Sequence, residues 1–542
     1  MGEGPMATRY AFRNRALRWV LAAATLALVA CGTLPSGAGT ARQASTAFAA
    51  PQTTRLGSLA LVHLHDGDGR SGFRLISVGV DGFVLRMQLI EAAQRSLDLQ
   101  YFIFHGDETG RLITGALLRA ADRGVRVRIL VDDGETSTGD EQLTQLEAHP
   151  SIFLRIFNPF RYRGHSNLLR AAEFALAAGR LDYRMHNKLM VADNAVAVIG
   201  GRNIGDQYFQ VAPSGQFADD DVVTAGPVVG ALSATFDEFW NSELAIPAEA
   251  LAGGKATHAQ LRQDRAELGA QARAAKEGGI DYVARIATGR PLQAILTGEL
   301  PLLWAPVRLV ADSPDKRATE DGRSVGRLMQ RPVLKTMLQV HAELLMVTPY
   351  LVPGAEGMQV LDALRQRGVR VRILTNSLES STEPLAQAVY TRYRPPLLED
   401  GVELYEVRAQ PGLARGSGQS QAMSRNGNYS LHAKMFVFDR EQVFLGSMNF
   451  DRRSMHLNTE IGLIIDSPEL AAQIVGRFEE MVKPENAYRP VLRPTAEPGQ
   501  FRLAWEATKD GIAVEYCREP ARSAWQRFAS GLLSWLPIDR EL

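Results

Sequence analysis

Two short stretches of the chain set a histidine, a lysine and an aspartate at identical spacing: Met185-His186-Asn187-Lys188-Leu189-Met190-Val191-Ala192-Asp193 and Leu431-His432-Ala433-Lys434-Met435-Phe436-Val437-Phe438-Asp439. Each is followed, at one common distance, by a second signature, Gly200-Gly201-Arg202-Asn203 or Gly446-Ser447-Met448-Asn449. On a strand, residues two apart share a face, so His186 points with Lys188 and His432 with Lys434. Each half then offers a group that titrates near neutrality beside a fixed cation. Two such halves brought together suit a phosphodiester: one neutral imidazole attacks phosphorus, and the other, protonated, donates to the leaving oxygen. Lys188, Lys434, Asn203 and Asn449 are expected to bind the non-bridging oxygens, with Ser447 supplying a hydrogen bond that Gly201 cannot. A nucleophilic histidine also needs its far ring nitrogen held by a carboxylate. Glu460 is the expected orienter of His432; for His186 it is Asp219, with Asp221 as the alternative. Asp193 and Asp439 complete the two motifs and are expected to make structural hydrogen bonds or ion pairs.

The elements that must carry these groups repeat as well. The string RGVRVRIL occurs at Arg123–Leu130 and at Arg367–Leu374, 244 positions apart, while the two histidines lie 246 apart. In each copy Arg-Gly stops a helix, with Gly124 or Gly368 taking positive φ, and the apolar Val and Ile then alternate with arginines along a strand. Apolar spacing predicts helices over Gly82–Gln94, Thr109–Asp122 and Gly357–Gln366. Strands are predicted over Ser96–Phe104, Val125–Val131, Val369–Thr375 and Ile461–Ile465. Such alternation argues α/β layering with mostly parallel strands. Eight identical residues in one context argue internal duplication, and so two lobes related by a pseudo-twofold axis with the site between them. The arginines of the repeat are left to pair with acidic neighbours such as Asp122 or to face lipid phosphate.

The paired motifs resemble those of the phospholipase D superfamily, whose members join two such half-sites across a pseudo-twofold interface. The resemblance runs from about residue 56 through nearly the whole chain. SLDLQYFIF, RIFNPF, GGRNIGDQYF and VFLGSMNFDRRSMHLNTEIG further resemble bacterial cardiolipin synthases, especially the type without paired N-terminal membrane helices. The resemblance implies transfer of a phosphatidyl group through a phosphohistidine, with His186 the nucleophile and His432 the general acid and base. It implies phosphatidylglycerol as a substrate and phosphatidylglycerol or phosphatidylethanolamine as donor. Hydrolysis to phosphatidic acid differs only in that water wins the second step. A phosphodiesterase or nuclease and a non-catalytic lipid-binding lipoprotein are the other classes weighed.

With 60 Lys plus Arg against 60 Asp plus Glu, the chain lacks the basic field of a nucleic-acid binder. Arg9, Arg13, Arg15 and Arg18 precede an apolar run, Trp19–Ala30, of signal-peptide length. Leu28-Val29-Ala30-Cys31 resembles a lipoprotein cleavage site, so Cys31 is the expected lipidation site, with a plain secretory signal or an uncleaved anchor as alternatives. The expected division is a signal peptide over 1–31, a flexible linker over 32–55, a first lobe over 56–248 and a helical linker over 249–300. A second lobe over 301–490 and a C-terminal extension over 491–542 follow. The expected setting is the bacterial cell envelope, lipid-anchored on the periplasmic face, as a monomer, since both half-sites lie in one chain. No cofactor and no metal are called for: His63, His65, Asp66 and Asp68 look like a ligand cluster, but no further ligands complete it. His105 and His165 lie beside expected loops that could line the cleft, although a solvated loop histidine is the more frequent case. Cys517 reads as a core residue. Trp525, Phe528, Leu532 and Leu536 fall on one helical face, which suits either a membrane interface or docking on the second lobe.

Overall fold

The computed structural model describes residues 43–62, 69–134, 146–164, 166–212, 215–251, 257–277, 291–410 and 429–535. The signal segment with Cys31, the 63–68 cluster, His165 and Leu536 lie outside the described residues.

Two large sheets, each flanked by helices, form the two lobes. In the first, the strands run in the spatial order Leu303–Ala305, Ser71–Ile76, Asp221–Ala225, Val196–Gly200, Leu189–Ala192, Ser96–Tyr101, Arg126–Asp132, Ile152–Phe157 and Ala245–Pro247. In the second, the order is Val307–Ala311, Ile461–Asp466, Gln442–Gly446, Met435–Phe438, Glu343–Val347, Arg370–Asn376, Glu403–Val407, Ala487–Pro494, Phe501–Lys509 and Ile512–Tyr516. From Ser71–Ile76 and from Val307–Ala311 onward the two orders match strand for strand, which is the duplication seen in space.

The sheets are mixed, but parallel pairing is confined to three adjacent strands in each: Ser96–Tyr101 with Arg126–Asp132 and Ile152–Phe157, and their counterparts. The remaining ladders are antiparallel, so the expectation of mostly parallel strands does not extend beyond those trios. The physical reason lies in the connections. Helix crossovers precede the RGVRVRIL strands, whereas each motif strand turns straight back on its neighbour through a three-residue loop. Asp193 and Asn194 in one loop, and Asp439 and Arg440 in the other, take positive φ to make that reversal.

The repeated strand has a definite task. Arg128 is fully buried, donates to Asp98 at 2.6 and 2.9 Å, and reaches Asp237 at 2.7 Å. Its guanidinium lies 4.8 Å from the centre of the Phe236 ring. In the second lobe Arg372 pairs with Glu479 and lies 4.8 Å over Phe478. Asp237 with Phe236, and Glu479 with Phe478, sit on the equivalent helices Pro227–Trp240 and Pro468–Met481. Both helices enter the hydrophobic core that joins the lobes, alongside Leu345, Val437 and Leu463. The third arginine of each repeat therefore fastens its sheet to the interlobe core; Asp122 instead pairs with Arg265.

Folded structure begins earlier than Leu56. Gln43 O accepts from Arg155 at 2.7 Å, Ser45 O accepts from Arg128 at 2.9 Å, and Ala47 N donates to Asp237 at 2.7 Å, so residues 43–55 are seated on the first lobe. The stretch after residue 490 adds two strands to the second sheet before ending in the helix Ala524–Leu533. Cys517 is exposed, not in the core, and accepts a hydrogen bond from Arg502 at 3.0 Å. Between the lobes, helix His258–Glu277 is largely exposed, as its polar composition predicts.

Candidate active site

Both motif histidines lie where the lobes meet, and each is delivered by a short parallel pairing with the opposite lobe. Met185 bridges Thr459, and His186 N donates to Thr459 O at 2.9 Å. Tyr429–Leu431 pairs with Gln216–Ala218, and His432 N donates to Ala218 O at 2.7 Å. Thr459 and Ala218 each immediately precede a carboxylate, which fixes the orienting partners.

Glu460 and Asp219 are thus the orienting carboxylates, but the pairing is crossed relative to expectation. His186 Nδ1 faces Glu460 Oε1 and Oε2 at 3.0 and 2.9 Å, and His432 Nδ1 faces Asp219 Oδ2 at 2.5 Å. Each lobe's histidine is oriented by the other lobe's acid. The sequence assigned each acid to the histidine of its own lobe because the two are near in the chain. In the sheet, however, the acid-bearing strand stands two positions from the motif strand, and only the twofold-related lobe brings an acid behind the ring. Asp221, the alternative orienter, is committed elsewhere, to Arg86 at 3.0 Å and Arg202 at 3.1 Å. With Nδ1–H donated to a carboxylate, the neutral form of each imidazole presents a bare Nε2.

The orienting acids are themselves held, and unequally. Ser447, expected at the phosphate, is turned to the acid instead: its Oγ donates to Glu460 Oε2 at 2.5 Å, and Glu460 N donates to Asp312 Oδ2 at 2.9 Å. Asp219 Oδ1 accepts from Asp220 N at 2.8 Å. The departure from the common pattern at Gly201 has a steric cause: a Cβ there would stand 2.0 Å from Asp219 Oδ1. Glycine makes room for the carboxylate where the other half uses a serine hydroxyl.

Lys188 and Lys434 are buried against the same histidines. Lys188 Nζ donates to His186 O at 2.5 Å, and Lys434 Nζ donates to His432 O and stands 3.0 Å from its Nδ1. Burial sets the charge states. It pushes both imidazoles well below their ordinary value, helped first by Lys188 at His186 and by Lys434 at His432. Burial also lowers the Lys188 ammonium well below its usual range and Lys434 to about 8, while raising Glu460 to about 7 and Asp219 in the same direction. Lys188 and Lys434 are in turn faced by the Glu460 and Asp219 carboxylates, which favour their charged forms against that burial.

Both histidines open onto one cleft of about 720 Å³. Asn203 and Asn449 line it. Asn203 Oδ1 accepts from Ile103 N at 3.1 Å, while its buried Nδ2 has no partner among the described residues and can donate to a ligand. Aromatic rings wall the imidazoles: Phe102 stands edge-on to His186 at 5.1 Å, and Tyr208 and Phe217 flank His432 at 5.2 and 5.1 Å. His105 borders the cleft, the less favoured of the two placements weighed for it.

Asp193 and Asp439 lie away from the histidines and cap the strand before each motif. Asp193 accepts from Gln94, Arg95 and Ser96 N, and Asp439 from His341, Ala342 and Glu343 N, at 2.7–3.2 Å. The structure adds two positioning residues that sequence reasoning passed over. Asp132 Oδ2 accepts from Met185 N at 2.8 Å, and Asn376 Oδ1 accepts from Leu431 N at 2.8 Å. Asp132 and Asn376 end the two RGVRVRIL strands, so the repeated strand also holds the backbone just ahead of each histidine. Their matched position after the repeat was the available signal.

Two lobes that each lend a histidine and an asparagine to one cleft, bury a lysine against that histidine, and give an acid to the other's histidine, define a two-lobed phosphodiester-processing architecture. A family model described as "Cardiolipin synthase, PLD-like domain" matches residues 87–240 and 333–482. Cardiolipin synthase C of Escherichia coli is 35% identical over 490 residues, covering 90% of this chain and 99% of that protein. The major cardiolipin synthase of Bacillus subtilis is 25% identical over 413 residues, covering 75% and 68%. Among solved structures, the phosphatidylserine synthase of Haemophilus influenzae is 14% identical, with a TM-score of 0.49 and coverage of 80% of this chain and 91% of that one. The chain belongs to the phospholipase D-like cardiolipin synthase family.

Proposed function

We propose that the protein is a phosphatidyltransferase that makes cardiolipin. The single observation that carries this reading is the pair of crossed histidine–carboxylate dyads in one cleft with two lysines and two asparagines. His186 Nε2 attacks the phosphorus of a donor phospholipid, and the bond from phosphorus to the headgroup oxygen breaks. His432, protonated on Nε2, gives its proton to that oxygen, and the free headgroup alcohol leaves. His432 then takes the proton of a phosphatidylglycerol hydroxyl, whose oxygen displaces His186 from phosphorus, and cardiolipin forms. Lys188, Lys434, Asn203 and Asn449 bind the non-bridging oxygens as charge builds on them. Glu460 and Asp219 stabilise the charge that each imidazole acquires.

The family resemblance supports phosphatidylglycerol as acceptor, with phosphatidylglycerol or phosphatidylethanolamine as donor. Membrane proximity in this reading comes from a lipid on Cys31, in the cell envelope and on the periplasmic side; no helix among the described residues is long and apolar enough to cross a membrane. Incubating purified protein with labelled phosphatidylglycerol, with and without phosphatidylethanolamine, and resolving the lipids tests the reaction. Cardiolipin with release of glycerol or ethanolamine is expected. Phosphatidic acid without cardiolipin would assign hydrolysis instead, and full activity in His186→Ala or His432→Ala would overturn the mechanism. Labelled palmitate should enter the wild-type chain and not Cys31→Ser.

A further inference from the structure

The helix Asn167–Leu181 is built the wrong way round for a helix facing water. Of its fifteen residues, Leu181 alone is buried, although leucine, alanine and phenylalanine dominate it. Its three charged side chains all turn inward onto the first lobe. Arg170 donates to Asp133 O, Glu173 accepts from Arg161 N and Tyr162 N at 2.8 Å each, and Arg180 donates to Asn158 and Pro159 at 2.9 and 2.8 Å. What remains outside is apolar: Leu168 is 80% and Leu176 72% exposed, with exposed Ala171 and Ala175 between them at helical spacing. Ordinary surface helices do the reverse, and an exposed apolar stripe of this kind marks a surface that meets something apolar.

A second such ridge comes from the other lobe. On helix Ala524–Leu533 and just beyond it, Trp525, Phe528, Leu532 and Trp535 are exposed, Trp535 at 87%. This helix is tied to the segment that enters the cleft, since Gln526 Nε2 donates to Leu378 O and Arg522 to Glu379 O, at 2.7 and 2.5 Å. Thr382 and Glu383, a few residues on, line the cleft, while Phe174 and Leu181 of the first helix line it from the opposite lobe. Arg161 and Arg522, both exposed, stand beside the two ridges. Two apolar ridges on either side of one cleft mouth, edged with tryptophan and arginine, match an interfacial lipid layer with anionic headgroups.

We propose that helices Asn167–Leu181 and Ala524–Leu533 form a docking surface that seats the mouth of the cleft against the face of an anionic phospholipid membrane. The surface deepens the transferase reading and rests on it in one respect, that the cleft draws its substrates from the lipid layer. Charges satisfied inward keep the first helix fixed to its lobe while its outer stripe enters the boundary between headgroups and acyl chains. The second ridge then fixes the tilt, so that a phospholipid enters the cleft headgroup first.

The test uses full chains carrying Cys31→Ser and Cys517→Ser with a single new cysteine at Leu176 or Trp535, or at Ala266 on the exposed interlobe helix as control. Each is labelled with an environment-sensitive fluorophore and mixed with vesicles of phosphatidylglycerol and phosphatidylethanolamine. Expected are quenching by doxyl-labelled acyl chains and loss of quenching by aqueous iodide at 176 and 535, with the reverse at 266. Labels at 176 and 535 that stay open to iodide on vesicles overturn the proposal. Shielding at both without vesicles overturns it also, and assigns the surface to a second copy of the chain. In parallel, Leu168→Asp/Leu176→Asp should lose at least tenfold in turnover of vesicle lipid and stay within twofold on dihexanoyl phosphatidylglycerol dispersed as monomers. Equal losses on both substrates overturn the proposal. If the labels report docking and the monomeric lipid gives no product, the docking surface stands and the transferase reading falls.

Discussion

Glu460→Gln isolates the crossed pairing from everything else in the site. The side chain keeps its size and an acceptor oxygen, so the packing around Ser447 and His186 is preserved while one buried charge is removed. Contacts of 2.9 and 3.0 Å between the carboxylate oxygens and His186 Nδ1 put the two charge centres about 4 Å apart. At an effective dielectric of about 20 that is worth roughly 4 kcal/mol to an imidazole that has become positive. Lost from a transition state, 4 kcal/mol is about a thousandfold in rate. Turnover measured with labelled phosphatidylglycerol should therefore fall by about three orders of magnitude with little change in melting temperature. The location of the effect is the sharper test. In protein carrying 15N-labelled histidine, with resonances assigned from His186→Ala and His432→Ala, Glu460→Gln should shift the His186 ring nitrogens and leave those of His432 in place. Asp219→Asn should do the opposite. A shift at His432 in Glu460→Gln, or retention of more than a tenth of the activity, refutes the crossed arrangement.

Four more expectations follow from the same geometry. Gly201→Ser places a Cβ where Asp219 Oδ1 now sits, 2.0 Å away. It should cost about 1–3 kcal/mol in denaturant titrations and abolish most turnover by displacing the acid behind His432. Asp132→Ala removes the acceptor for Met185 N and the partner of Arg184, 3.2 Å away. A loss of about 2–5 kcal/mol by urea unfolding is expected, with turnover falling further than stability accounts for. The pH dependence of kcat/KM should be a narrow bell. Glu460, raised to about 7 by burial, must be ionised to hold His186, and Lys434, lowered to about 8, must be protonated to bind phosphate. Activity should thus fall on the acid side of about 7 and the alkaline side of about 8, and Glu460→Gln should erase the acid limb. Stability runs the other way for the buried acids. Glu460 at about 7 and Asp312 at about 6 lie above their ordinary values, so the contribution of these two groups is full below those ordinary values. It is lost as pH rises through about 6 to 7, which melting curves from pH 5 to 8 can follow.

Local patterns in the sequence located the two histidines and the two asparagines that face the cleft. Histidine and lysine two apart, and asparagine at a fixed distance beyond, are read from spacing alone, although His186 and Lys188, and His432 and Lys434, lie just ahead of the strands Leu189–Ala192 and Met435–Phe438 and not on them as expected. The helix stops at Gly124 and Gly368, which take φ of 87° and 79°, are read the same way. What sequence did not show is which distant residues meet. The acids Glu460 and Asp219 were recognised, but their exchange between lobes depends on the pseudo-twofold axis, which has no local signature. Strand direction was over-read because the helix–strand alternation of Ser96–Phe157 was carried across the hairpins that follow. Cys517 looked interior from its apolar neighbours, yet it follows a strand at the outer edge of the second sheet, where one face has no cover. Helix Asn167–Leu181 escaped notice because its composition is that of a core helix; only its surroundings show that its charges face in.

The crossed dyads also restrict how the molecule can move. A hinge that separated the lobes would pull Glu460 from His186 and Asp219 from His432 in one motion, and would break the strand pairings at Thr459 and Ala218 with them. Opening between lobes is therefore an all-or-none loss of competence, not a graded gate. Substrate entry and product exit then run through the mouth of a cleft whose floor stays shut, while the two halves of the molecule stay locked as one body.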